Sequence, residues 1–404
     1  MIDFTLSDTH QNIRSMVHWF AEAEMRPLSL QADRECKVPD ELVKKLMQMG
    51  VASGGTPETM GGSPDGIGAD KDKRGKKQIN RISVIGSEEL AWGDPAMILA
   101  IPGPGLGAPP VRFMGTPEQR ERFFAPFKDL ETAHYGAYAL TEPGAGSDAA
   151  AISTTAVKDG NHYVLNGVKC FITNGAKAIW NVVFATIDKS KGRAGHRVFV
   201  VEKGTPGFRV GRIEEKMGMH ASETAELILE DCRVHQDNLL GGEAHYASKE
   251  GFMGAMKTFD LTRPLVASMA TGIARAAYER ARDFFKENYM TGRPIARYRV
   301  IADKLAEIAR NIDAARLMVW RAAWMADEGI PNTKEASMSK AYAGQLATKA
   351  CIDAIQVMGA AGLSRDGFVE KWFRDIKVYD IFEGTGQAQR IVISKRILQN
   401  LKSF

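Results

Sequence analysis

The spacing of apolar residues along this chain changes period twice, and that change limits the fold more than any single motif does. From Ser7 to about Met49 they recur at helical intervals, with Ile13, Met16, Val17 and Phe20 on one face, Leu42, Leu46 and Met49 on the next, and Pro27 and Pro39 as breaks. Helical spacing resumes from Ile82 to about Phe127. Between about His134 and Leu240 short strand-like runs take over: ISTTAV and HYVLNG flank a Lys158-Asp159-Gly160 turn, and NVVFATI, HRVFVVEK and TAELILEDCRV follow. After Gly242 long helical segments return, with Leu265, Met269, Ile273 and Ala276 on one face and Ile301, Leu305, Ile308, Ile312, Ala315 and Val319 on another. Asn332, with Glu335 three residues on, predicts a cap for a helix running toward Gly359. The order predicts a multidomain α+β chain: an N-terminal helical domain over residues 1–133, a central β domain over 134–243 and a C-terminal helical bundle over 244–404.

A chain of 404 residues exceeds the usual size of one core, so several domains are expected. Its net charge of +4 is too weak a bias to imply nucleic acid, although it does not repel an anionic substrate. Cys36, Cys170, Cys232 and Cys351 stand far apart with no CxxC pair, so no zinc site, no other metal site and no disulfide framework is expected, and a reducing cytoplasm fits. The start MIDFTLSDTHQNIRSMV lacks a signal-peptide core, and no apolar run reaches the roughly 18 residues of a membrane span. Ser53 to Asn80 is rich in Gly, Pro and charge and predicts a loop; its KDKRGKK run is a solvated loop in preference to a nucleic-acid contact. Gly103, Gly105 and Gly107 follow no strand and lack a downstream acid, which argues against dinucleotide binding there.

Packing alone does not explain two segments. In YALTEPGAGSDAA (Tyr138 to Ala150), Thr141, Glu142, Ser147 and Asp148 surround a Pro143-Gly144-Ala145-Gly146 turn at the mouth of the β domain. Small residues there let backbone N–H groups approach an anionic or aromatic ligand. In DIFEGTGQAQR (Asp380 to Arg390), Glu383 sits among Ile381 and Phe382 and is followed by Gly384-Thr385-Gly386. Apolar neighbours and a glycine turn are a way to desolvate a carboxylate.

These segments, with NGVKCFITNG at Asn166 to Gly175, KMGMHASETAELILEDCRV and FDLTRP at Phe259 to Pro264, occur in an order and at separations that resemble the acyl-CoA dehydrogenase family over nearly the whole chain. The resemblance implies a helical domain, a central β-barrel-like domain and a C-terminal four-helix bundle. It also implies FAD as cofactor, an acyl-CoA substrate in fatty acid metabolism, and an electron-transfer flavoprotein as electron acceptor. The implied assembly is a tetramer, a homotetramer in preference to a hetero-oligomer.

By the same resemblance Tyr138, Leu140 and Thr141 contact the flavin ring, Gly146 and Ser147 the diphosphate, and Phe171 and Thr173 the flavin near its reactive nitrogen. Phe171 stands where many relatives carry Trp. Gln356, Gly359 and Ala360 match a segment that reaches a neighbouring subunit's FAD, and Thr385 and Gln387 match positions beside the cofactor's adenosine and diphosphate end. Arg263 matches a residue near the coenzyme A portion, with a structural salt bridge as the alternative; Ser147, Asp260, Glu383 and Gly384 complete the implied substrate set. Glu383 is then the base that removes the α-proton of the thioester while the β-hydrogen leaves as hydride, and burial should raise its pKa. In the family the thioester carbonyl is held by that Glu's backbone N–H and an FAD ribityl hydroxyl. Two positions depart from the family pattern: Asn288 stands where an Arg usually meets the partner's FAD diphosphate, and His220 replaces a frequent Arg. Pro102-Gly103-Pro104-Gly105 falls where relatives build the acyl pocket, so it either admits a bulky acyl group or is a structural kink. Oxidase chemistry, enoyl-CoA reduction and a flavin-bearing nucleic-acid-binding relative are the rival readings.

Overall fold

The computed structural model describes residues 4–48, 78–247, 250–290 and 292–401. Helix α1 (Asp8–Phe20) begins where the Ser7 hydroxyl accepts the His10 N–H, and it buries Ile13, Val17 and Phe20. A π turn and a 3-10 turn around Pro27 lead into α2 (Ser29–Glu35), and α3 (Asp40–Gln48) follows Pro39. Most of the expected loop, including the basic Lys71 to Lys77 run, lies outside the described residues. Helix α4 (Ile79–Gly93) starts earlier than the apolar spacing predicts, because the Asp327 carboxylate accepts the otherwise orphan N–H groups of Asn80 and Arg81. Asp94 ends α4 and caps α5 (Pro95–Leu99), its Oδ1 accepting the N–H groups of Ala96 and Met97 at 2.8 Å each. A bend follows, in which Gly103 bridges to Tyr135, and then a 3-10 turn (Gly105–Gly107); α6 (Ala108–Met114) and α7 (Pro117–Phe124) come next, the latter opened by a Thr116–Gln119 capping box.

The central residues form one seven-stranded sheet of β1 (Gly136–Ala139), β2 (Thr155–Asp159), β3 (His162–Thr173), β4 (Trp180–Thr186), β5 (His196–Glu202), β6 (Phe208–Ile213) and β7 (Thr224–His235). The order is β1-β4-β2-β3-β7-β6, with β5 on the other side of β4. Asp159 pairs with His162, so the β2–β3 turn is Gly160-Asn161 and not Lys158-Asp159-Gly160. Strands β1 and β6 were not legible: β1 is short, and β6 is largely exposed and carries little alternation. Strand β4 is buried throughout, as an unbroken apolar run should be: Val183 and Ala185 face a cluster with Leu165 and Phe199, while Trp180, Val182 and Phe184 face Phe123 and Phe124.

The last part holds α8 (Gly242–Ala247), the long α9 (Glu250–Glu287), a hairpin of β8 (Tyr289–Met290) and β9 (Arg293–Pro294), α10 (Arg299–Asp327), α11 (Thr333–Met358), α12 (Ala360–Leu363), α13 (Val369–Ile381) and α14 (Gly386–Leu401). Helix α11 is central, its alanines and serines letting α9, α10, α13 and α14 pack close around it. Pro264 lies inside α9 and has no N–H for the Asp260 carbonyl. Asn332 supplies the missing donor, its Nδ2 reaching the carbonyls of Asp260 (3.2 Å) and Ala322 (2.9 Å). That use corrects the expected cap: the Asn332 side chain makes no capping bond to α11, and the Glu335 carboxylate lies beside Lys334 and Arg321.

Two ion networks join the parts. Glu88 and Glu89 of α4 meet Arg275 of α9; Arg316 of α10 reaches Glu88 at 2.7 Å and Arg14 of α1 reaches Glu89 at 2.9 Å. Burial alone would raise the Glu89 carboxyl, but the Arg275 and Arg14 hydrogen bonds and charges outweigh it and hold the pKa at about 2. A carboxylate depressed in this way contributes stability above its ordinary value of 4.5 and loses that contribution as pH falls toward 2. The melting temperature is therefore expected to drop across this window, with a shallower slope in Glu89→Gln, as calorimetry at stepped pH would show. The second network is Asp94–Lys371–Asp375, all three side chains essentially without solvent contact, with Lys371 Nζ 2.8 Å from Asp94 and 2.6 Å from Asp375. The Met219 N–H, from the loop between β6 and β7, donates to Asp375, and a Cβ on Gly218 would lie 2.4 Å from the Arg374 backbone. No helix among the described residues is long and apolar enough to cross a membrane.

Candidate active site

Glu383 lies in the short turn between α13 and α14. Its own φ is +53° and that of Gly384 is +94°, a pair of left-handed conformations that a helix end tolerates only when something holds it. Three side chains do so. Lys340, buried on α11, donates from Nζ to the carbonyls of Gly384 (2.6 Å) and Asp380 (3.1 Å). Gln389 of α14, also buried, donates to the carbonyls of Gly384 (3.0 Å) and Glu383 (3.3 Å). The Thr385 hydroxyl accepts the Ala388 N–H and so opens α14.

With the backbone pinned, the Glu383 side chain points inward. Its Oε2 and Thr262 Oγ1 on α9 are both buried and near each other, but neither makes a well-formed hydrogen bond to a described residue. Burial raises the Glu383 pKa above 4.5, opposed by the nearby Thr262 hydroxyl and the Arg263 and Lys340 charges. Tyr138 on β1 is raised too, first by burial and then by the charge of Glu383. An unmet buried carboxylate oxygen costs about 1–3 kcal/mol, which a purely structural residue would have no reason to carry. Without Lys340 the turn loses both its cation and a double anchor. Lys340→Met is expected to lower kcat by about 10- to 100-fold with a smaller change in KM, because misplacing a base by about 1 Å has that effect; steady-state kinetics would show the split.

The other expected residues fall into groups. Arg263 is buried and not on an exposed surface, with Nη1 3.3 Å from Asp260 Oδ1; Asp260 also accepts the Thr333 hydroxyl at 2.6 Å. Leu140 and Thr141 follow β1; Gly146 and Ser147 lie exposed in the turn. A Cβ built on Gly144 or Gly146 meets nothing within 4 Å, and neither has a positive φ, so the chain itself does not require glycine there. Phe171 is 58% exposed with φ +56°, thrust out by a bulge in the β3–β7 pairing between Lys169 and Ile172, and Thr173 pairs with Thr224 just beyond. An open glycine turn and an outward aromatic at one end of the sheet suit a flat ring system with a diphosphate. Gln356 is exposed near the end of α11, Gly359 and Ala360 form the junction to α12, and Gln387 is exposed on α14; no described contact brings these to Glu383.

Asn288 turns its amide back to the Phe284 carbonyl at 2.9 Å and closes α9. His220 lies with Nδ1 3.1 Å from Asp33 and Nε2 2.8 Å from the Lys216 carbonyl, between α2 and the sheet. Both departures thus serve the chain's own contacts. The roles of Lys340, Gln389 and Thr262 were missed, because a Lys in an alanine-rich helix and a second Gln in QAQR read as surface residues.

Three family models match in sequence order: the acyl-CoA dehydrogenase N-terminal domain over residues 7–131, middle domain over 137–232 and C-terminal domain over 249–398. The chain is 37% identical to a short-chain specific acyl-CoA dehydrogenase of Clostridium acetobutylicum, covering 98% of this chain and 100% of that one. It is 38% identical to an acryloyl-CoA reductase (NADH) of Anaerotignum propionicum, covering 98% and 96%. Butyryl-CoA dehydrogenase from Megasphaera elsdenii superposes with a TM-score of 0.87 at 36% identity, over 98% of this chain and all of that one. A chain in the structure reported for the electron transferring flavoprotein of Acidaminococcus fermentans does so with a TM-score of 0.86 at 39% identity, over 98% and 100%. With its helical, sheet and bundle parts in the family order and all three family models matched, the chain belongs to the acyl-CoA dehydrogenase family, the FAD-dependent oxidoreductases that act on acyl-CoA thioesters.

Proposed function

We propose that Glu383 is the base of this dehydrogenase, removing the α-proton of a short, straight acyl-CoA to yield the trans-2-enoyl-CoA. The observation that carries the reading is the inward, buried carboxylate with an unmet oxygen on a turn held by Lys340 and Gln389. An α-proton is too weakly acidic for a solvated carboxylate; a desolvated one with a raised pKa is a stronger base. Bound FAD supplies the two-electron acceptor. Tyr138, Leu140, Thr141, Phe171 and Thr173 would wall its ring, and Gly146 and Ser147 would hold its phosphates. Gln356, Gly359 and Ala360 would reach a neighbouring subunit's FAD, and Thr385 and Gln387 would lie beside the cofactor's adenosine and diphosphate end. Ser147, Asp260, Arg263 and Gly384 would orient the thioester.

The short acyl chain is supported by the Clostridium and Megasphaera likenesses. It also fits Pro102-Gly103-Pro104, a bend in which Gly103 bridges to Tyr135 and Pro104 leads into the 3-10 turn Gly105–Gly107, so that the segment has a structural use. Anaerobic bleaching of the bound-flavin spectrum is expected to be fastest with butyryl-CoA among straight, branched and cyclic thioesters; faster bleaching by a branched or cyclic one would overturn the chain-length reading. The likeness to acryloyl-CoA reductase favours a second reading, in which the same groups run toward the saturated thioester; NADH-driven reduction of a short enoyl-CoA would establish it. An electron-transfer flavoprotein is the proposed redox partner, supported by the Acidaminococcus likeness. Exposed Leu363, Ile391, Ile397 and Leu398 on the C-terminal helices support a homotetramer, for which native mass spectrometry should find one chain type. Three buried free thiols, Cys170, Cys232 and Cys351, accord with a cytoplasmic location.

A further inference from the structure

Lys169 is fully buried on β3, yet its ammonium is not simply neutralised. Nζ lies 2.7 Å from Glu142 Oε1 and 3.2 Å from the Leu140 carbonyl oxygen. Glu142, also buried, accepts further hydrogen bonds from the Ser153 N–H and hydroxyl and the Thr154 N–H, and its backbone exchanges bonds with Ala145 across the Pro143-Gly144 turn. The Cys170 N–H donates to the Thr141 carbonyl at 3.0 Å. Burial alone would raise the Glu142 pKa, but the Lys169 charge and these hydrogen bonds hold it at about 2; burial lowers the Lys169 pKa to about 8 against the pull of Glu142, which still leaves the pair mainly ionised at pH 7.

The Leu140 carbonyl and the Thr141 N–H belong to one trans peptide unit and point in opposite directions. A cation on the carbonyl side therefore polarises the N–H on the other side, which finds no acceptor among the described residues. We infer that Lys169 is a positioning residue for the flavin: from behind the 140–148 turn it fixes and polarises the Leu140–Thr141 peptide, which stabilises the more electron-rich reduced form and raises the reduction potential. Glu142 has the opposite electrostatic effect and keeps the lysine in place. This rests on the reading that the turn faces FAD.

The charge gives the test. In the FAD-loaded enzyme, Lys169→Met is expected to favour the oxidised form by about tenfold, a fall of about 30 mV for a two-electron couple. Glu142→Gln removes the partner that keeps the buried ammonium charged, so its potential should fall toward that of Lys169→Met as pH rises through neutrality. A purely structural pair would leave the pH dependence of the potential in Glu142→Gln parallel to that of the wild type. If Lys169→Met fails to fold, that pH dependence decides alone. Gly146→Val, which fills the open face of the turn, checks the underlying placement. If it binds FAD like the wild type, FAD lies elsewhere and the inference falls with that reading. If it loses FAD while Lys169→Met and Glu142→Gln keep the wild-type potential at every pH, the inference alone is overturned.

Discussion

Glu383→Gln is expected to slow reduction of the bound flavin by acyl-CoA by about 10²- to 10⁴-fold, the usual contribution of a positioned general base. Gln has nearly the shape of Glu, and the turn that carries it is held through backbone carbonyls of Asp380, Glu383 and Gly384, so FAD content and melting temperature should stay near wild type. Anaerobic stopped-flow spectroscopy separates the two effects. A Gln variant that bleaches within threefold of wild type would place the base elsewhere. The wild-type rate should also fall at low pH: burial raises the Glu383 pKa above 4.5, so the active carboxylate is lost as pH drops through that raised value. The residual rate of the Gln variant should lack this limb.

The largest effect on stability is expected at Lys371. Its cation stands between Asp94 and Asp375, where burial pushes the Asp375 pKa up and Lys371 opposes that push. Lys371→Met leaves two carboxylates facing each other without a counter-ion. Breaking a buried pair from one side costs about 3–5 kcal/mol, enough to lower the melting temperature by about 10 °C or to prevent folding. Neutralising a partner as well, in Lys371→Met/Asp375→Asn, should recover part of the loss. Urea unfolding of both variants at pH 7 would show it, and equal stability of Lys371→Met and wild type would mean that the network carries no weight.

Architecture was legible where the apolar period was strong. Tyr163 and Leu165 are buried, as are Ile273 and Ala276 on α9 and Leu305, Ile308, Ile312, Ala315 and Val319 on α10, while Leu265, Met269 and Ile301 at the ends of the expected faces are half-buried. Legibility failed where tertiary contacts decide: α4 begins early because of Asp327, which is remote in sequence, and Asn332 serves the carbonyl freed by Pro264 and does not cap its own helix. The candidate base was picked out by Phe382 and the glycines beside it, but Ile381, expected to help desolvate it, is 53% exposed, and the cover comes from α9 and α11 instead. Its supports were not, because whether Lys340, Gln389 or Lys169 is buried depends on which helix or strand covers it, and local spacing carries no trace of that.

Gly218 and the ion network beside it also limit how the molecule can move. The backbone of the β6–β7 loop lies against that of α13 with no room for a Cβ, and prying them apart would expose Asp94, Lys371 and Asp375 together. A hinge along this seam is therefore the least favourable route for admitting a thioester, since it must break contacts worth several kcal/mol at every turnover. Access to Glu383 falls instead to rearrangement of side chains and short loops, and substrate entry should leave the relative placement of sheet and bundle unchanged.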